Sequence, residues 1–148
     1  MAGIYGVVQT SEIALAAATA KTVIQLVAPA NHRVKVLGWG IFFDGVNTAG
    51  EPVQVRVLRQ TTAGTMSALT PVQVIPVSET IQSTAQHTAT AEPTAGDVID
   101  MIECHPQQGY EVKFPMGQEI VIAGSGRLGI ECTAPAIVNC RAKFFFEE

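Results

Sequence analysis

Charge is scarce in this chain. Only 15% of its 148 residues are Asp, Glu, Lys or Arg, against about 25% in an average soluble domain, so the surface is either bland or partly covered by neighbours. The nine Lys and Arg stand singly or at alternate positions, as in Arg33/Lys35 and Arg141/Lys143. No basic run with interleaved aromatics exists, which argues against nucleic-acid binding. No apolar run approaches the roughly 18 residues of a membrane-spanning helix. The N-terminus carries no Lys or Arg before its apolar stretch and Glu12 interrupts it, so Ala16-Ala17-Ala18 is a poor signal-peptidase site and the expected location is a cytoplasm, or a particle assembled there. Three cysteines, Cys104, Cys132 and Cys140, are an odd number in such a chain and read as free buried thiols.

The spacings that carry chemistry are also missing. There is no C-x-x-C, H-x₃₋₅-H or H-E-x-x-H pattern. His32, His87 and His105 could be combined with Cys104, but adjacent strand residues face opposite sides, so Cys104 and His105 are poorly placed to share an ion. No G-x-S-x-G elbow is present, and Asp97 and Asp100, three apart on a strand, do not form a carboxylate pair. The expectation is a protein without catalytic residues, metal or cofactor. Gly124-Ser125-Gly126-Arg127-Leu128-Gly129 matches the dinucleotide fingerprint G-x-G-x-x-G, which needs a helix behind the glycines to receive a pyrophosphate. Here Ile130-Glu131-Cys132 continues as a strand, so the glycines are expected to serve as φ > 0 positions of a hairpin turn.

What is abundant is apolar residues, 47% of the chain, arranged with a period of two. Val53, Val55 and Val57 alternate with Gln54 and Arg56; Leu128, Ile130 and Cys132 with Gly129 and Glu131; Val138, Cys140, Ala142, Phe144 and Phe146 with Asn139, Arg141 and Lys143. Such alternation specifies half-buried strands. Further strands are expected at 4–9, 12–17, 22–28, 33–44, 71–77, 97–104, 110–114 and 118–123. Turn residues fall between them at 29–31, 44–45, 47–50, 106–109, 115–117, 124–126 and 134–135. The Ala-rich stretch Ser11 to Lys21 lacks a Glu or Gln at position 14 to complete a capping box and reads as strand and turn. The chain is therefore expected to be all-β: one domain, residues 1–148, an antiparallel β-sandwich or jelly-roll-like barrel of about ten short strands.

The stretch 61–96 resists that pattern. It is mostly Thr, Ser, Ala, Gln and Pro, with Glu79 and Glu92 its only charges. It reads as a long loop, either solvated or an extended arm lying along a neighbouring subunit, and one that could be excised between Thr80 and Thr94 without unfolding the sandwich. His87 is the histidine best placed on it to meet a partner. Trp39, between Gly38 and Gly40, is expected in the core. Phe145, on the opposite face from Phe144 and Phe146, is expected to stand exposed among Arg141 and Lys143, as the edge of an apolar patch or a subunit contact.

Several stretches taken together, Ala20-Lys21-Thr22-Val23, Ala28-Pro29-Ala30-Asn31-His32-Arg33-Val34-Lys35-Val36, Phe43-Asp44-Gly45 and Val57-Leu58-Arg59-Gln60-Thr61-Thr62-Ala63-Gly64-Thr65, resemble the small β-sandwich proteins encoded beside major capsid proteins in tailed bacteriophages. Gln86-His87-Thr88-Ala89-Thr90-Ala91-Glu92-Pro93 and His105-Pro106-Gln107-Gln108-Gly109-Tyr110 have the same character. The resemblance implies a capsid decoration, or cement, protein on the outside of the head, binding the major capsid protein, commonly as a homotrimer, with no nucleic acid or membrane as partner. Tyr5, Thr80, His87, Glu92 and Phe145 are then the candidate subunit or capsid contacts, with the arm and the residues before Glu12 carrying much of the interface. The alternative is a phage tail or fibre module, or a carbohydrate-binding module on the same sandwich, which would use exposed Tyr5, Tyr110 and Phe145.

Overall fold

The computed structural model describes residues 3–45 and 50–148; the expected turn at 47–50 falls almost wholly outside them. Thirteen strands and no helix are found among the described residues. They are β1 (Ile4–Val8), β2 (Ile13–Leu15), β3 (Ala20–Val27), β4 (Val34–Asp44), β5 (Val53–Gln60), β6 (Thr65–Leu69), β7 (Val72–Gln73), β8 (Thr84–Ala91), β9 (Ala95–Cys104), β10 (Gly109–Lys113), β11 (Ile120–Ile122), β12 (Arg127–Thr133) and β13 (Val138–Glu147). Two antiparallel sheets pack face to face as a β-sandwich. The first runs β10-β4-β13-β1-β7, with β11 also on β4 and β2 also on β13; the second runs β6-β8-β3-β12-β5-β9.

The alternation seen in sequence places the core. Val53, Val55 and Val57 of β5, Leu128, Ile130 and Cys132 of β12, and Cys140, Ala142, Phe144 and Phe146 of β13 all point between the sheets and are buried. Each fully buried Leu, Ile or Phe side chain contributes about 1.5–3 kcal/mol. Trp39 lies in this core with its ring 5.3 Å from that of Tyr110. Gly38 and Gly40 flank Trp39 in β4. They lie on the outer face, where a Cβ would meet the Val112 carbonyl oxygen at 2.5 Å or Lys143 Cε at 2.9 Å. Ser11 to Lys21 contains β2 and the start of β3 and no helix.

The stretch 61–96 departs most from expectation. It contains β6, β7 and β8 and the start of β9, and only 74–83 is long and without strand. β8 pairs with β3 from Ile24↔His87 to Val27↔Thr84, and β6 lines its other side. Excising 80–94 would therefore remove an interior strand of the second sheet. At Thr88 the backbone turns left-handed, φ 57°, and the pairing with β3 stops.

β5 and β6 are separated in the sheet by β12, β3 and β8, so the links 61–64 and 92–94 must cross the sheet's outer face. Beneath them lies a buried polar layer. Gln25 Nε2 donates to Gln60 Oε1 at 2.7 Å and to the Thr62 carbonyl at 3.2 Å, and Gln60 Nε2 donates to Thr22 Oγ1 at 2.9 Å. A bulge where β3 passes Ile130 and Glu131 frees the Thr22 N–H, which donates to Glu92 Oε2 at 2.8 Å. Beside them Arg56 Nε donates to Glu131 Oε1 at 3.0 Å and forms an ion pair with it.

The remaining segment, 74–83, wraps the sandwich edge between the sheets. The Val74 N–H donates to the Ile4 carbonyl at 2.8 Å, Val77 and Ile81 pack on the core, and Glu148 accepts the N–H groups of Gln82 and Ser83 at 2.6 and 2.8 Å.

Candidate interaction surfaces

The outer face of the first sheet carries an apolar trough. Across neighbouring strands the register aligns Lys113 of β10, Gly38 of β4, Phe145 of β13, Gly6 of β1 and Val72 of β7 in one row. Glycines on both sides of Phe145 leave its ring room to lie down on the sheet: a Cβ on Gly6 would sit 3.2 Å from Phe145 Cε1. Ile4, Leu37, Val74, Lys113 and Phe145 enclose a trough of about 330 Å³. Phe145 lies on the outer face, as the alternation of β13 implied, but it is half-buried and not exposed. Lys143 Nζ stands 5.3 Å from the Phe145 ring centre and 5.1 Å from that of exposed Phe42, and Lys113 Nζ 6.0 Å from Phe145. Lysines over aromatic faces are held by the ring quadrupole. Lys143 donates to Glu111 at 2.8 Å, and that bond holds the Glu111 carboxyl below its usual range. Lys113 forms no ion pair among the described residues.

A second surface is the strand β9, which among the described residues pairs only with β5 and forms one edge of the second sheet. It exposes Val98, Ile99 and Met101, the last 56% accessible. Its charges, Asp97, Asp100 and Glu103, are all negative, and none forms an ion pair among the described residues. Val98, Met101 and Glu103 stand opposite Leu58, Arg56 and Gln54 and so share the outer face. Two register shifts along β5 break the alternation here, which is why the apolar exposure was invisible to a periodicity argument.

A third is a polar groove of about 440 Å³ on the rim, lined by Gly3, Tyr5, His32, Arg33, Glu79, Thr80, Gln82 and Glu148. It brings the N-terminal strand and the 74–83 wrap together; Thr80 on its lining and Ile75 elsewhere on the wrap are both exposed.

The expected contact residues scatter over these features. Phe145 floors the trough and Thr80 lines the rim groove. Tyr5 is corrected: it is 2% exposed and stacked on Phe146, ring centres 5.6 Å apart, because it shares the inward face with Val7. His87 is likewise not on a free loop. It sits in β8 between Ile24 and Ser67, its Nδ1 2.9 Å from Thr88 Oγ1. Glu92 is exposed but spends a carboxylate oxygen on Thr22. Tyr110 is exposed, as expected, with its ring centre 5.3 Å from that of Trp39. In the 124–129 stretch the left-handed residue is Ser125, φ 63°, and not a glycine. Gly124 and Gly126 are there for close approach, each 2.8 Å from a carbonyl oxygen if a Cβ is added, and Gly129 lies in β12 against the Gln60 amide.

Among the described residues no group of three or more His, Cys, Asp or Glu could hold a metal, and no helix is long and apolar enough to cross a membrane. Cys104, Cys132 and Cys140 are free and buried. Burial raises the Cys104 thiol pKa; burial, then the neighbouring Cys140, raises that of Cys132 much further. Comparison with protein-family models, curated proteins and solved structures finds no match for this chain.

Proposed function

We propose that this chain is a structural virion protein that binds the outer surface of a tailed-phage head and stabilises it by bridging major capsid subunits, as a homotrimer. The reading rests on the resemblance carried by residues 20–23, 28–36, 43–45 and 57–65. The observation that best supports it is that one small sandwich carries exposed apolar or mixed surfaces on three sides: the Phe145 trough, β9 and the Thr80 rim. A bridging protein needs several footholds, and weak contacts on one rigid body combine through effective concentration. The Ile75/Thr80 rim, with Arg33 and Glu79 beside it, is the foothold we assign to the capsid. No bond chemistry is required: a ligand that binds the assembled shell and not its dissociated subunits stabilises the shell by mass action.

The test is cosedimentation of the purified chain with assembled, undecorated heads, beside a glycan array. Saturable pelleting with heads and a blank array is the expected result. Glycan binding without pelleting would replace the proposal with the tail-fibre or carbohydrate-binding reading, for which Phe42 and Phe145 on an open sheet face would be the platform.

A further inference from the structure

The trough and β9 are complementary to each other. The trough is apolar, is overhung by Lys113 and Lys143, and has a lysine without an ion pair at its rim. β9 is apolar, acidic and without a cation. Two β9 edges cannot pair with each other at low cost, because antiparallel self-pairing sets Asp97, Asp100 and Glu103 against a second set of the same acids. The two surfaces belong to opposite sheets, so one copy cannot close β9 onto its own trough.

We infer that β9 of one copy docks in the Phe145 trough of the next. Met101 and Val98 enter between Ile4, Leu37 and Val74 over the Phe145 ring, where a thioether against an aromatic edge is favourable. Glu103, which shares that face, reaches the rim lysines Lys113 and Lys143, which fixes the direction of docking. The contact is heterologous: each copy offers β9 on one side and a trough on the other. Such contacts close into rings or propagate. The number three is taken from the decoration-protein reading; the contact itself does not depend on that reading.

Met101 and Val74 are 56% and 53% exposed, so Met101→Glu and Val74→Glu should leave the sandwich folded, with unfolding midpoints near that of the parent as the control. Sedimentation velocity of the purified parent at micromolar concentration should show a closed oligomer, and each variant alone should run as one chain, its association weakened roughly tenfold or more. Mixed in equal amounts, the two variants should form a dimer and nothing larger, since the Val74→Glu copy keeps an intact β9 and the Met101→Glu copy an intact trough. A monomeric parent, variants that still associate, or a mixture that stays monomeric would each overturn the inference. No capsid is present in this assay, so a chain that behaves as stated yet fails to pellet with heads would refute the capsid proposal alone.

Discussion

Gly129 offers the sharpest check on the crossing links that cover the second sheet. A Cβ at this position would fall on the Gln60 amide, and that amide cannot swing aside freely, because it accepts from Gln25 and donates to Thr22 inside a buried layer. In Gly129→Ala the methyl expels the amide. Two hydrogen bonds are lost at about 1 kcal/mol each, and a buried polar group is left without a partner at about 1–3 kcal/mol. Replacing a strand glycine returns about 0.5–1 kcal/mol of backbone entropy. The net cost is about 2–4.5 kcal/mol by these increments, which in a domain of this size lowers the melting midpoint by roughly 6–14 °C. Gln60→Ala alone should cost about the same, since it removes the same two bonds. The double variant should then lie close to Gln60→Ala alone, a coupling as large as the Gly129→Ala cost, about 2–4.5 kcal/mol. Urea unfolding of all four proteins measures the cycle. Additive losses, or a Gly129→Ala protein as stable as the parent, would mean that the polar layer is not held as described.

Other outcomes follow from the same packing. Arg56→Ala leaves the Glu131 carboxylate, 9% exposed, without its cation; the expected loss is about 2 kcal/mol, below the usual figure for a broken buried pair because Arg56 is partly solvated. Thr88→Asn should raise stability by about 0.5–1 kcal/mol in thermal unfolding, since asparagine adopts the left-handed conformation that a β-branched residue resists. Thiol labelling after denaturation without reductant should find three free thiols, and native labelling should be slow at Cys132 and Cys140. Because burial raises the Cys104 and Cys132 pKa values in the fold, the unfolded chain ionises these thiols first. The stability they contribute is complete below the ordinary thiol value of about 8.5 and is lost as pH climbs above it toward the folded values.

Strands that bury one face were legible. In β5, β12 and β13 the even spacing of apolar residues names the core directly, and in β13 the same parity singles out Phe145 as the aromatic on the other side. β8 was not legible, because only Ala85 and Ala89 of its eight residues are buried hydrophobics and Thr88 breaks its pleat. Its place comes from hydrogen bonds to β3 and β6, for which composition gives no signal. The burial of Gln25 was hidden for a related reason: part of its cover, Thr62, arrives from a link distant in sequence. Tyr5 could have been placed by noticing that it shares parity with Val7. The trough could not, since Leu37, Val74, Lys113 and Phe145 come together only through strand order.

The claim that this sandwich cements a shell is tested most directly by heating undecorated, DNA-filled heads with increasing amounts of the chain and following DNA release. The account predicts that the release midpoint rises with chain concentration, as RT ln(1 + [L]/Kd) requires for a ligand of the intact state, and that the rise is lost when Thr80 and Ile75 on the rim are both changed to Asp. A midpoint that does not move at saturating concentration would contradict it.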